Sequence, residues 1–281
     1  MSAKANCFRL ASPFVFVYKV SNMALGKSVE KVLRLVEETT GLPVHVEPDS
    51  TLPPNLLAKV TMARGKMPFH RVAYQPARSE SPDYLIVFQC GFVLRHYSVL
   101  PADRVDFANT DLAEQTVRQW VRDNPKTPGL PENKIEGLTG FLFNGLLSQL
   151  RSIPVGLRVD SWILEEYPEL APLQREAAMK QLDDIAAGLR PDVQEMMPDA
   201  ALTASLSMSA AFSIYWAERF GQPQLTLPFR ATGHLASGQA LYDIWRDTSS
   251  EPGRDRSLID AWASKLGLQG WYQWVPSQSP T

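Results

Sequence analysis

Leu25, Val29, Val32, Leu33 and Val36 recur at helical spacing, with Glu30, Lys31, Arg34 and Glu37 on the other side. The pattern predicts an amphipathic helix that buries one stripe. Gly41 and Pro43 end it. Val44 to Glu47 then alternates as a short strand does. Leu57 to Met62 and Phe69 to Tyr74 read as two further strands, with Arg64-Gly65-Lys66 as the turn between them. Gln75 to Pro82 is a polar loop, and Ser81-Pro82 reads as a helix start, serine capping and proline in the first turn. From Tyr84 to Leu94 the chain is apolar on almost every side, which predicts a helix buried within its domain. At roughly a dozen residues it is too short to cross a bilayer.

Beyond Tyr97 the pattern turns to helices and prolines. Thr110 caps a helix carrying Leu112, Val117, Trp120 and Val121, which ends at Asn124-Pro125, and Lys126 to Pro131 is a connector. Ile135 to Leu150, Leu157 to Glu166, Leu170 to Leu189, Ala200 to Phe220, Ser237 to Asp247 and Ser257 to Leu266 read as further helices. Ala201 to Ala217 is rich in small residues, which suits close helix packing better than a serine nucleophile. The aromatic end, Trp271 to Trp274, is expected to pack on the body. The fold class is therefore α+β, predominantly α-helical. The chain divides into an N-terminal extension (1–23), a small α+β domain with short strands and a buried central helix (24–100), and a helical domain (101–281).

Composition narrows the classes. Hydrophobic residues make up 44% and charged residues 21%, as in a globular protein with a sizeable core. A net charge of −2 gives no general attraction to nucleic acid or anionic membranes. The two cysteines, Cys7 and Cys90, form no disulfide framework, so a cytoplasmic setting is expected. Phe14 to Tyr18 is apolar but too short for a membrane span and lacks a clean cleavage site after it. It reads as part of a disordered extension or as an added edge strand.

The candidate chemistry lies in the buried helix. A zinc-peptidase helix spaces two histidines four apart, with a glutamate after the first as general base. The same frame here reads Phe88-Gln89-Cys90-Gly91-Phe92. A phenyl ring has no lone pair for a metal, and an amide does not titrate as a base. Phe69 to Pro76, a loop and then this helix resemble the strand-loop-helix entry of the ImmA/IrrE-type metallopeptidase domain, and the opening helix with Gly41-Leu42-Pro43-Val44 is similar to that domain's start. The likeness covers Ala24 to Tyr97, roughly a quarter of the chain. It implies a zincin-like scaffold, with Phe88, Gln89 and Phe92 as degenerate metal-site positions. Active members look like zinc enzymes that cut regulatory proteins; the substitutions here point to loss of that activity. No cofactor and no metal are expected.

Other groups are weaker candidates. His45, His70, His96 and His234 form no H-x-x-x-H pair; His45 and His70 fall in strands and could be neighbours. Cys90, in apolar surroundings, is expected to be inert. Glu165-Glu166 and Asp183-Asp184 point apart on their helices and suit solvated faces. Pro228 to His234 combines Arg230, Thr232 and His234 in one loop and is the possible binding loop, weighed against a tight turn into the next helix. The expectation is a non-catalytic protein-binding or regulatory module, with a protein partner, no nucleic acid or membrane, and possible oligomerisation. The alternatives are a hydrolase with a relocated site using His45, His70 or His234, and an assembly subunit of a larger complex.

Overall fold

The computed structural model describes residues 25–278, apart from 54–55, 77–80, 127, 191–193 and 196. The extension 1–23, with Cys7 and the Phe14 to Tyr18 run, lies outside the described residues. The first apolar stripe folds as helix α1 (Lys27–Thr40), burying Val29, Val32, Leu33 and Val36. Gly41, at φ 74°, closes it in the left-handed conformation that glycine tolerates. Strands β1 (Val44–Pro48), β2 (Ala58–Thr61) and β3 (His70–Tyr74) follow where the alternation places them. They form one sheet in the order β1-β3-β2, with β1 parallel and β2 antiparallel to β3. Helix α2 (Asp83–Tyr97) buries residues all round, among them Leu85, Ile86, Val87, Cys90 and Val93. Ser81 is not its cap. Pro82 holds that position, and the Asp83 carboxylate accepts a hydrogen bond from the Gly26 N–H at 3.1 Å, joining the starts of α1 and α2.

The second half departs from the sequence pattern in two places. Val105–Asn109 forms a strand, β4, which precedes helix α3 (Asp111–Arg122). Its partner is the aromatic end of the chain, strand β5 (Tyr272–Pro276), antiparallel with Phe107 opposite Trp274. Phe107 stacks on Tyr272 at 4.3 Å, and Tyr272 and Trp274 both donate to Asp260. The second departure is helix α4 (Glu132–Glu166), which runs unbroken where two helices were expected. Pro154 lies inside it and removes one backbone donor, at a typical expense of about 3 kcal/mol. Neighbouring elements hold the helix on both sides of that residue. Helix α5 (Ala171–Gly188) folds back along it, and α6 (Asp199–Phe220), α7 (Leu227–Ala231), α8 (Leu235–Asp247) and α9 (Asp255–Leu266) complete the bundle. The Trp245 indole donates to the Pro154 carbonyl at 3.1 Å, and Arg158 donates to the carbonyls of Trp245 and Thr248. Thr110 does stand at the N-cap of α3, but its hydroxyl bonds Gly270 O at 2.7 Å rather than a helix amide.

Among the described residues two large apolar cores result, beside a small cluster of Leu202, Leu206, Ala210 and Phe229. One joins α1, the three-stranded sheet and α2 with Val159, Ile163 and Tyr167 from the end of α4 and just past it. The other joins the first half of α4 with α3, α6, α8 and α9. Small residues set the seam between α6 and α8, where a Cβ at Gly238 would lie 2.3 Å from Ala210 Cβ. The helix α4 therefore belongs to both cores, and its stretch around Gly156 lies beside Phe88 and Phe92. Among the described residues, no helix is long and apolar enough to cross a membrane.

Candidate functional site

The spacing of four residues puts Phe88 and Phe92 on one face of α2. Their rings meet edge to face at 5.3 Å. Gly156 on α4 gives them room, since a Cβ there would lie 3.2 Å from the Phe88 ring and 3.8 Å from that of Phe92. Gly91 does the reverse for α4, because a Cβ at that position would stand 2.4 Å from Val159 Cγ1. The two glycines let α2 and α4 cross in close contact.

Gln89 has a structural task. Its Oε1 accepts from the Val60 N–H at 3.1 Å, and its Nε2 donates to the Ala58 carbonyl at 3.3 Å. Both bonds fall on the edge of β2 that does not face β3. An amide can both donate and accept, so one side chain satisfies two backbone groups that a sheet edge leaves open. A carboxylate in its place would accept only.

One turn beyond Gly156 on α4, and so on the same face, stands Asp160. It is 3% exposed. The Tyr84 hydroxyl and Gln174 Nε2 each donate to its Oδ1 at 2.8 Å. Among the described residues no cation pairs with it. Burial raises the carboxyl to about 7, against the lowering effect of the Gln174 and Tyr84 bonds. Tyr84 in turn lies 5.7 Å from the Phe88 ring, so Tyr84, Phe88 and Phe92 form a row on α2 beside this carboxyl. The sequence does carry a signal for Asp160. It shares a helix face with Leu157, Ile163 and Leu164, where an acid is out of place.

Asp160, Phe88 and Phe92 line a cleft of about 1340 Å³. The cleft follows α4 from Phe141 to Asp160, about 30 Å at the helical rise. Val60 and Gln89 form part of one wall, and Ile185, Leu206 and Phe212 part of another. Among the described residues, two that line it carry fully buried polar atoms without a hydrogen-bond partner, Gln149 Oε1 and Trp216 Nε1.

The remaining candidates do not gather into a site. His45 pairs in register with Arg71 and stacks on Phe69 at 3.7 Å, whereas His70 is sealed in the core. His70 Nδ1 accepts from the Ala63 N–H at 3.0 Å and its Nε2 meets Thr40 Oγ1 at 3.2 Å. Burial depresses its pKa to about 4, helped by the nearby Arg64 charge. His45 and His70 are thus on adjacent strands but on opposite faces. His96 bonds Ser277 at 3.3 Å and burial likewise lowers it to about 4. Burial pushes the Cys90 thiol up to about 12, which leaves it no thiolate near neutral pH. Glu165, Glu166, Asp183 and Asp184 are exposed. In the suggested binding loop, Arg230 lies on the short helix α7 and is exposed. Thr232 donates back to Pro228 O at 3.2 Å, and His234 caps α8 with its N–H on Phe229 O at 2.9 Å. Pro228 to Ala231 is helical rather than loop, and the segment joins α7 to α8 through a turn at Thr232-Gly233.

The residues present do not fit a zinc site. Phe88 and Phe92 offer phenyl rings, which have no lone pair for a metal, and Asp160 on α4 is a single carboxyl. No cluster of three or more histidine, cysteine, aspartate or glutamate side chains suited to a metal occurs among the described residues. No family model, characterised protein or solved structure matches the chain.

Proposed function

We propose that the chain is a non-catalytic protein-binding or regulatory module, built on a scaffold that resembles an ImmA/IrrE-type peptidase domain and has lost its metal site. The observation that carries this reading is the use made of three positions. Phe88 and Phe92 pack on each other and on Gly156, and the Gln89 amide bonds the open edge of β2. Asp160 supports the ancestry. A zinc site with two histidines on one helix takes its third ligand, often a carboxylate, from elsewhere in the fold. Asp160 stands on a second helix, bonded to Tyr84 and one turn past Gly156, against which the two phenyl rings pack.

The cleft supports the binding role. Pockets that hold ligands combine an apolar lining with a few polar groups. A ~30 Å run along α4 suits an extended or helical polypeptide better than a small metabolite. Metal analysis of the purified protein tests the loss of the site. The expected result is substoichiometric zinc; one tightly held transition-metal ion per chain rejects it.

A relocated acid-base site is the second reading, favoured by the Asp160 carboxyl, which burial brings into the neutral range inside a cleft. Its test is a panel of ester, amide and phosphoester substrates. Turnover that disappears in Asp160→Asn supports it, and no turnover, or turnover the variant keeps, rejects it.

A further inference from the structure

Asp160 is a buried acid with no cation paired to it among the described residues. Its Oδ1 takes hydrogen bonds from two neutral donors, Tyr84 and Gln174, while Oδ2 takes none among the described residues. Two of the arginines that line the same cleft are engaged with other carboxylates. Arg95 bonds both carboxylate oxygens of Asp255 at 2.8 and 2.6 Å, and Arg64 those of Asp106 at 3.1 and 2.6 Å. The row Tyr84, Phe88 and Phe92 lies beside the acid, with successive ring centroids 5.7 and 5.3 Å apart. Aromatic rings attract a cation through their quadrupole, and a buried carboxylate is stabilised most by a desolvated partner that also donates hydrogen bonds.

We propose that this end of the cleft binds a primary ammonium group carried on an apolar chain, as a lysine side chain carries it, with the charge on Asp160 and the chain along Phe88 and Phe92. An ammonium supplies the hydrogen bonds that Oδ2 lacks, and the methylene stem suits an apolar wall while the head keeps a polar partner. A carboxylate or phosphate ligand is repelled here, and a neutral alcohol gains burial without the ion pair. The proposal deepens the binding reading above and rests on it, naming the group of the partner that the deep end selects.

The test compares four probes on the intact chain by calorimetry at pH 8: n-hexylammonium, 1-hexanol, hexanoate and Nα-acetyl-lysine N-methylamide. Hexylammonium is expected to bind on the order of tenfold more tightly than hexanol, as one charge-assisted bond provides, with hexanoate weakest. In Asp160→Asn that preference falls to near parity. A crystal structure of the wild-type chain with hexylammonium gives a readout that needs no variant, and the nitrogen is expected within hydrogen-bond distance of Asp160. Tighter binding of the blocked lysine assigns the group to a polypeptide side chain; tighter binding of the free amine assigns it to a small amine, still on Asp160. Equal binding of hexanol and hexylammonium overturns the ammonium assignment but leaves the apolar cleft standing. So does a nitrogen that points to solvent. Binding of none of the four overturns both.

Discussion

At the residue scale, Phe88, Gln89 and Phe92 carry structural duties that can be measured. Gln89 is the clearest case because its two bonds have opposite sense. In Gln89→Glu, the introduced carboxylate accepts from Val60 but faces the Ala58 carbonyl with no proton to give. The variant is expected to lose about 1–3 kcal/mol at pH 7, the usual effect of an unsatisfied buried acceptor. Urea unfolding should show part of that loss recovered near pH 4.5, where the new carboxyl regains a proton and can donate. A loss independent of pH would show that the bond to Ala58 is unimportant. Asp160 and His70 pull stability in opposite directions with pH. The folded chain keeps a proton on Asp160 up to about 7, whereas its ordinary value is 3.8, so this group lowers stability as pH rises across that window. His70 titrates at about 4 when folded and 6.5 otherwise, so the unfolded chain holds the extra proton and stability rises with pH over that range. Asp160→Asn removes the falling contribution. Between pH 4.5 and 6.5 its stability should climb more steeply than that of the wild type, by up to about 1.4 kcal/mol per pH unit. Parallel slopes would mean that Asp160 is not buried as an acid.

At the scale of elements, the crossing of α2 and α4 decides where the two phenyl rings sit. Gly91→Ala places a methyl 2.4 Å from a β-branched side chain that cannot swing away. It is expected to destabilise by about 1–3 kcal/mol in urea unfolding, with part restored by the double variant Gly91→Ala/Val159→Ala. A neutral single variant would mean that the helices do not approach so closely. The same elements show how far the sequence could be read. Periodicity placed α1 and the three strands of the first sheet within a residue or two, because each has one buried face and alternates or repeats accordingly. It placed α2 because an all-round apolar run of that length must be interior. It broke α4 at Pro154, since local chemistry disfavours proline within a helix, and the bonds that tie Pro154 and Arg158 to Trp245 span some 90 residues. It missed β4 and β5 for the same reason, as each is five residues long and the partner lies more than 160 positions along the chain.

For the whole molecule, α4 is the member that makes one body of two cores. Its first half buries one face in the helical bundle, its second half closes the N-terminal core, and the Arg95–Asp255 bridge links α2 to α9 across the cleft. Asp160 lies on the stretch of α4 that serves the N-terminal core, which explains why a reading confined to the α2 frame identified Phe88, Gln89 and Phe92 but not the acid beside them. The central claim is that these four residues occupy the places of a former zinc site. Restoring the two imidazoles tests it directly. The Phe88→His/Phe92→His variant, shown to be folded by circular dichroism, is to be titrated with zinc against a competing chelator. Binding of one zinc per chain that is lost on adding Asp160→Ala is the predicted result, because two histidines on one helix and a carboxylate on another complete a three-ligand set. A folded double variant that binds no zinc, or binds it equally well without Asp160, would contradict the account.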